Sequence, residues 1–146
     1  MGSLQGRKKG ILVVIVSLLA VARLSTTAAS GSELVSALCN SALYSFGDPF
    51  GKNLGLVLDD LLGTTPGRDF KDYTAISPRP SRFVYGHAKC RHALSAGECG
   101  VCLKGVAAAL ADQCGNAVGG RAMFVDCFMR YEAYPFGDEE PAWSIS

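Results

Sequence analysis

The sequence predicts an α+β protein in which helices pack on an antiparallel sheet. Three observations support this fold class: two segments with helical periodicity, several short segments of extended character, and six cysteines in the part of the chain that carries both. The helical segments do not alternate regularly with the extended ones, which argues against a parallel sheet built from βαβ units. A chain of 146 residues also has the length of one domain.

The first 29 residues are predicted to be a cleaved secretory signal peptide. A basic stretch at 7–9 precedes an apolar run at 10–22, and small residues follow up to Ala29. These are the parts of a signal peptide, and the apolar run is shorter than the roughly 20 residues that a transmembrane anchor needs. We expect the remaining chain to consist of a folded domain at 30–137 and a flexible acidic tail at 138–146.

Removal of the signal peptide changes the sign of the net charge. Four of the 14 Lys and Arg residues lie in the predicted signal peptide, whereas all 13 Asp and Glu residues follow it, so the mature chain carries a net charge of −3. Binding to a phosphate backbone depends on clustered Lys and Arg, and cationic amphipathic helices use the same residues on anionic membranes. We therefore expect no nucleic-acid partner and no stable membrane anchor.

The first helix is predicted to begin at Asp48-Pro49. An Asp side chain is a preferred N-cap, and proline suits the first helical position. Apolar residues then recur at helical spacing, and Gly63 is the expected C-terminal stop. The predicted core face of this helix consists of Phe50, Leu54, Val57, Leu58 and Leu61.

The second helix is predicted to begin at a capping box formed by Ser95 and Glu98. Cys99 and Cys102 lie one turn apart on one face of this helix. Helical backbones hold such a pair badly for disulfide geometry, so each of the two cysteines should bond elsewhere. The same face continues through Val106 and Leu110 towards Cys114.

The remaining segments are predicted to be strands. The shorter candidates are 34–38, 70–76 and 83–87. The clearest alternation predicts one unbroken strand from Met123 to Tyr131, because apolar residues occupy one parity and polar residues the other. The apolar parity consists of Met123, Val125, Cys127, Met129 and Tyr131, and the polar one of Asp126, Arg130 and Glu132.

An even number of cysteines in a secreted domain predicts three disulfides, although 15 pairings of six cysteines are possible. A zinc or redox site at Cys99-x-x-Cys102 is the alternative, but neither a second such pair nor paired histidines accompany it. No serine or acid is placed by a motif beside His87 or His92, so a hydrolase triad is unsupported. We expect no enzyme activity, no metal and no cofactor.

The cysteine spacing C-x8-C-x2-C from Cys90 to Cys102 resembles the plant cysteine-rich secretory repeat family, also called the salt-stress/antifungal domain. Further cysteines on each side occur in matching order, and the resemblance extends from about Leu34 to Phe136. The single copy of the pattern is most similar to the ginkbilobin-type antifungal proteins of this family. The stretches that carry this similarity are 48–50, 85–90 and 125–132.

The resemblance implies a fold of two helices on a five-stranded antiparallel sheet. It also implies a disulfide pairing, which agrees with the expectation that Cys99 and Cys102 have separate partners. The implied pairs are Cys39–Cys114, Cys90–Cys99 and Cys102–Cys127.

The resemblance further implies a mannose site made of an Asn, an Arg and a Glu. The matching positions are Asn40, directly after the first cysteine, Arg121, seven residues after the fifth, and Glu132, five after the sixth. An amide can donate and accept, whereas Arg only donates and Glu only accepts, which together suits sugar hydroxyls.

Two structural roles compete with this interpretation. Asn40 could shape a turn, and Arg121 with Glu132 could form a cross-strand salt bridge worth about 0–1 kcal/mol. The two charged residues are 11 positions apart, so on one unbroken strand they would face opposite sides of the sheet. A shared site therefore requires a bend, bulge or turn between them.

The function implied by the resemblance is that of a mannose-binding, lectin-like antifungal protein. We expect this protein to be a monomer in the apoplast. It would recognise mannan-type glycans on fungal surfaces. One alternative is an apoplastic protein-interaction module without sugar binding, which would act in stress signalling or as a receptor ligand at the cell surface. A second alternative is an inhibitor of secreted microbial enzymes.

Overall fold

The computed structural model describes residues 33–137. The predicted signal peptide and the acidic tail lie outside the described residues, so both remain predictions. The elements, in chain order, are β1 (Leu34–Cys39), α1 (Pro49–Thr64), β2 (Asp72–Ile76), β3 (Tyr85–Cys90), α2 (Ala96–Cys114), β4 (Gly119–Phe124) and β5 (Cys127–Glu132).

The five strands form one antiparallel sheet in the order β1-β4-β5-β3-β2. Both helices pack on the same face: α1 lies against β2 and β3, and α2 lies mainly against β1, β4 and β5. The buried apolar residues fill the layer between the helices and the sheet. The predicted α+β fold of two helices on a five-stranded sheet is confirmed.

Helix α1 begins where the sequence predicts and ends slightly later. The backbone N–H of Phe50 donates to Asp48 Oδ1 at 2.8 Å, which confirms the N-cap. Gly63, however, lies inside the helix, so its prediction as the stop was wrong. The helix ends at Thr64 and passes into a 3₁₀ turn that contains Pro66, which lacks the N–H needed to continue an α-helix.

The capping box of α2 is confirmed by two reciprocal hydrogen bonds. The N–H of Glu98 donates to Ser95 Oγ at 3.1 Å, and the N–H of Ser95 donates to Glu98 Oε2 at 2.7 Å. The backbone N–H contact lowers the pKa of the Glu98 carboxyl. The predicted face of the helix is buried and carries its three cysteines.

Three disulfides attach α2 to the sheet, and they are the three that the resemblance implies. Cys114 bonds to Cys39 at the end of β1, Cys99 to Cys90 at the end of β3, and Cys102 to Cys127 at the start of β5. The separate partners of Cys99 and Cys102 rule out a dithiol redox pair or a zinc site at these positions.

The prediction of one strand from Met123 to Tyr131 was wrong. The chain reverses at Val125 and Asp126, and β4 pairs with β5 as a hairpin in which Met123 lies opposite Phe128. A contact distant in sequence holds the turn: Arg91 N–H donates to Asp126 O at 2.9 Å. Neither turn residue is the glycine that favours tight hairpins, so the alternating pattern concealed the reversal.

Candidate functional site

The hairpin places Arg121 and Glu132 on the same face of the sheet. Arg121 lies directly opposite Arg130, and Glu132 follows Arg130 by two residues on β5. Cross-strand partners share a face, and so do alternate residues of one strand. The turn between β4 and β5 therefore meets the geometric requirement for a shared site, on the face of the sheet that the helices leave uncovered.

A shallow cavity of about 290 Å³ on this face brings together the three residues that the sequence singled out. This volume is near the lower end of the range for small-ligand sites. Besides Asn40, Arg121 and Glu132, the lining residues include Leu38, Arg130 and Tyr134.

Asn40 is fixed by the backbone on both sides. Its own N–H donates to Gly119 O at 2.8 Å, and its Oδ1 accepts the N–H of Ala42 at 2.9 Å. Asn40 therefore does shape a turn, as one interpretation of the sequence expected. The turn uses the amide oxygen, whereas the Nδ2 hydrogens have no acceptor among residues 33–137 and can donate to a ligand.

Glu132 is held by Arg130 and not by Arg121. Arg130 Nε donates to Glu132 Oε1 at 3.1 Å, and both side chains are about nine-tenths buried. The guanidinium of Arg130 in turn lies 4.3 Å from the ring centroid of Phe136. The pair within β5, and not the alternative cross-strand salt bridge between Arg121 and Glu132, thus fixes the carboxylate at the cavity wall.

Gly119 provides the space that the Glu132 carboxylate occupies. The two residues are opposite each other in the β4–β5 ladder, and a methyl group at Gly119 would overlap Glu132 Oε2. Any larger residue at this position would displace the carboxylate from the cavity. The absence of a side chain at Gly119 is therefore part of the site.

Tyr131 lies on the opposite face of β5, across from Gly120, which lines the cavity. Its hydroxyl donates to Ala117 O at 3.0 Å, two residues before Gly119. Burial raises the pKa of the Tyr131 phenol to about 12.

Four residues that shape the site were not predicted from the sequence. Arg130 and Glu132 are alternate residues of one predicted strand and therefore share a face. This was the one indication in the sequence that Arg130 contributes to the site. Gly119 gave no signal because its function depends on the residue opposite it. Tyr134 and Phe136 follow the last strand, where no periodicity predicts which side chains fold back on the sheet.

Candidate metal ligands and the two histidines that the sequence raised can be located in the described part of the chain. No cluster of three or more His, Cys, Asp or Glu side chains within 33–137 is placed to hold a metal ion. His87 is buried, and its Nε2 lies 2.7 Å from Asp72 Oδ1, as in a structural histidine. None of the helices in this range is long and apolar enough to cross a membrane.

Comparison with known sequences identifies close relatives. Residues 38–134 match a family model described as "Salt stress response/antifungal". The antifungal protein ginkbilobin-2 of Ginkgo biloba is 37% identical over 81% of this chain and 89% of its own. The antifungal protein ginkbilobin-like protein 1 of Picea glauca is 33% identical over 90% of this chain and 95% of its own.

Two solved structures have a similar fold. The tandem DUF26 ectodomain of the Arabidopsis thaliana cysteine-rich receptor-like protein PDLP5 superposes with a TM-score of 0.63 and 25% identity over 70% of this chain. The corresponding ectodomain of PDLP8 gives a TM-score of 0.65 at 21% identity over 73% of the chain. The matched region spans about half the length, 51%, of each tandem ectodomain.

Proposed function

Because this chain belongs to the salt stress response/antifungal family, we propose that it is a secreted defence protein that binds mannose at the cavity between β1, β4 and β5. The observation that carries the proposal is that Asn40, Arg121 and Glu132, far apart in sequence, line one cavity. The ligand would be a mannan-type glycan of a fungal surface, and the protein would act by binding, without a reaction of its own.

The location follows from the relatives. They are named as antifungal proteins, as a cysteine-rich repeat secretory protein and as receptor ectodomains, which indicates an extracellular location. For this chain we propose the apoplast, which agrees with the predicted signal peptide and with disulfides that persist in oxidising compartments.

The three side chains would divide the work of holding a sugar. The Nδ2 hydrogens of Asn40 donate to one hydroxyl, the guanidinium of Arg121 donates to a second, and the Glu132 carboxylate accepts from a third. The Cys39–Cys114 disulfide lies next to Asn40, and Arg130 fixes Glu132, so little side-chain freedom would be lost on binding.

A protein-interaction module is the second candidate function. Its support is the structural similarity to the tandem DUF26 ectodomain of the receptor-like protein PDLP5, about half of which this chain matches. In that case the cavity would be unused for sugar, and the binding surface for a cell-surface or secreted protein would lie elsewhere on the fold.

Titration of mannose into the mature domain by calorimetry tests the first proposal directly. Loss of one polar partner in such a site costs about 1–3 kcal/mol, so Asn40→Ala, Arg121→Ala and Glu132→Ala should each weaken binding about 5- to 150-fold. Glu132→Gln keeps an acceptor and should have a smaller effect than Glu132→Ala.

Gln113→Ala is a matched control, because it removes an exposed amide on α2 away from the cavity. Variants that fold and bind mannose as the parent does would refute the proposed site. If no sugar on a glycan array binds, while a pull-down from apoplastic fluid captures a protein partner dependent on the folded domain, the second candidate function is supported instead.

A further inference from the structure

The loop before α1 holds an aromatic side chain entirely in solvent. Phe46 is fully exposed, although the loop around it is fixed. Asp48 N–H donates to Ser45 O at 3.0 Å, and Asp48 accepts Arg82 Nε at 3.2 Å while capping α1. Gly47 has φ +84°, which other residues rarely adopt. An exposed ring on an ordered loop adds nothing to the core and is available to a ligand in the cavity beside it.

Phe46 forms one wall of a second cavity, of about 660 Å³, at the start of α1. This volume lies within the range of small-ligand sites. The cavity is distinct from the proposed mannose site and shares none of its lining residues. Its lining combines two aromatic rings with amides and cations: Tyr44, Phe46, Lys52, Asn53, Arg79 and Asn116.

The unpaired charges at this cavity are positive. Asp48, which also lines it, is neutralised by Arg82 at 3.2 Å. Lys52 and Arg79 are exposed and have no ion-pair partner among residues 33–137. The N-terminus of the 16-residue helix α1 adds a partial positive charge. A local positive site on a mature chain of net charge −3 favours an anionic ligand over a neutral one.

Asn53 contributes a buried acceptor that lacks a donor. Its side chain is 1% exposed, and Nδ2 donates to Ser81 O at 2.7 Å and to Arg82 O at 3.0 Å. Its Oδ1 receives no hydrogen bond from the described residues. Buried acceptors of this kind are uncommon. Because this oxygen is closed to solvent, Asn53 shapes the cavity wall through its two donated hydrogen bonds, and the exposed amide of Asn116 is left to recognise a hydroxyl.

From this combination we propose that the cavity at the start of α1 is a second ligand site, which binds an acidic oligosaccharide built from uronic acid units. The ring of Phe46 packs against the apolar C–H face of one sugar ring. Lys52 and Arg79 pair with carboxylates along the chain, and the exposed amide of Asn116 binds a hydroxyl. The proposal is independent of mannose binding at the first cavity.

Calorimetric titration with an oligogalacturonate, in the presence of saturating mannose, tests the site. Phe46→Ala, Lys52→Ala and Arg79→Ala should each weaken binding by about tenfold, as expected for the loss of an aromatic or charge-assisted contact. All three side chains are exposed, so the thermal stability of the variants should match that of the parent. Affinity should also fall as salt is raised.

Two variants serve as controls. Leu43→Ala removes an exposed apolar side chain that precedes the loop but does not line the cavity, and Glu132→Ala damages only the first cavity. Both should bind the oligogalacturonate as the parent does. The methyl-esterified form of the same oligosaccharide is the matched neutral ligand, and it should bind at least about tenfold more weakly if the cations make the contacts.

Three results would overturn the proposal. Equal binding of the charged and the esterified oligosaccharide would exclude a role for Lys52 and Arg79. Oligogalacturonate binding that persists in all three cavity variants would place the ligand elsewhere. Absence of sugar binding, together with a Phe46-dependent protein partner in a pull-down, would identify this surface as a protein interface.

Discussion

All six residues of β5 are buried, yet the two faces of this strand are buried by different means. Towards the helices, Cys127, Met129 and Tyr131 pack in the core, and one of them is bonded to α2. On the other face, Arg130 and Glu132 pair with each other, and Arg130 lies on Phe136. On the face towards the helices, the core face, the packing of apolar side chains and a disulfide hold the strand in place. On the other face, the open face, a charge pair and the space left by a neighbouring glycine set the positions of the side chains.

Two consecutive glycines of β4, Gly119 and Gly120, show the same difference between the open face and the core face. A methyl group at Gly120 would lie 3.0 Å from Cys114 Sγ and 3.1 Å from Tyr131 Cε1, both within the core. A methyl group at Gly119 would instead meet the Glu132 carboxylate on the opposite face. The two faces should therefore respond differently to the same substitution: the core face should lose stability, and the open face should lose binding.

The largest effect is expected from the core face, on removal of the Cys39–Cys114 disulfide. The two cysteines are 75 residues apart, and chain entropy predicts that a loop of this length contributes about 4–5 kcal/mol. Double replacement by serine should lower the free energy of unfolding by about that amount, measured in a urea titration.

The Cys90–Cys99 disulfide is the internal control for this prediction. It closes a loop of only nine residues, for which the same relation gives about 2–3 kcal/mol. If its removal destabilised the domain as much as removal of Cys39–Cys114, loop length would not be the source of the stabilisation.

Substitution of Gly119 and Gly120 should give the next largest effect. These two variants test the difference between the core face and the open face most directly. Gly120→Ala overpacks the core and should cost about 1–3 kcal/mol of stability, measured by denaturant titration. Gly119→Ala should cost less stability, because the added methyl group meets only the end of the Glu132 side chain and not the core, but it should weaken mannose binding about tenfold.

Each glycine variant is the control for the other, because both add one methyl group to the same strand. A Gly119→Ala variant that binds mannose as the parent does, with Glu132 displaced in its structure, would show that the carboxylate is not used. Equal losses of stability in both variants would show that the open face is packed as tightly as the core.

The effect that is smallest at neutral pH, and that emerges only in alkali, is the pH dependence of stability on the core face. The folded chain keeps Tyr131 protonated up to about pH 12, whereas a tyrosine in the unfolded chain ionises near pH 10. The contribution of Tyr131 to the free energy of unfolding is therefore complete below pH 10. It is lost as the pH rises towards 12, by about 1.4 kcal/mol per pH unit.

Tyr131→Phe should remove this part of the decrease in unfolding free energy at alkaline pH. The measurement is the unfolding free energy of parent and variant from pH 9 to pH 12. The exposed Tyr134→Phe provides the matched control on the open face. Identical slopes for the parent and Tyr131→Phe would mean that the phenol ionises in the folded chain at its ordinary pKa.

The sequence by itself determined the parts of the protein that depend on neighbouring residues. Asp48 and Ser95 cap their helices through contacts within three residues, and such contacts can be recognised from spacing alone. The helical spacing of Cys99 and Cys102 likewise excluded a bond between them. Family resemblance then supplied the disulfide partners and the three candidate mannose residues, which periodicity could not have found.

Only the tertiary structure decided which distant residues share a face. The reversal at Val125 and Asp126 is held by Arg91, a residue about 35 positions earlier, so the local pattern resembled one continuous strand. The partner of Glu132, the empty space at Gly119 and the exposure of Phe46 all depend on packing between separate segments. Such contacts cannot be predicted from local sequence, because their energies arise only when the sheet has formed.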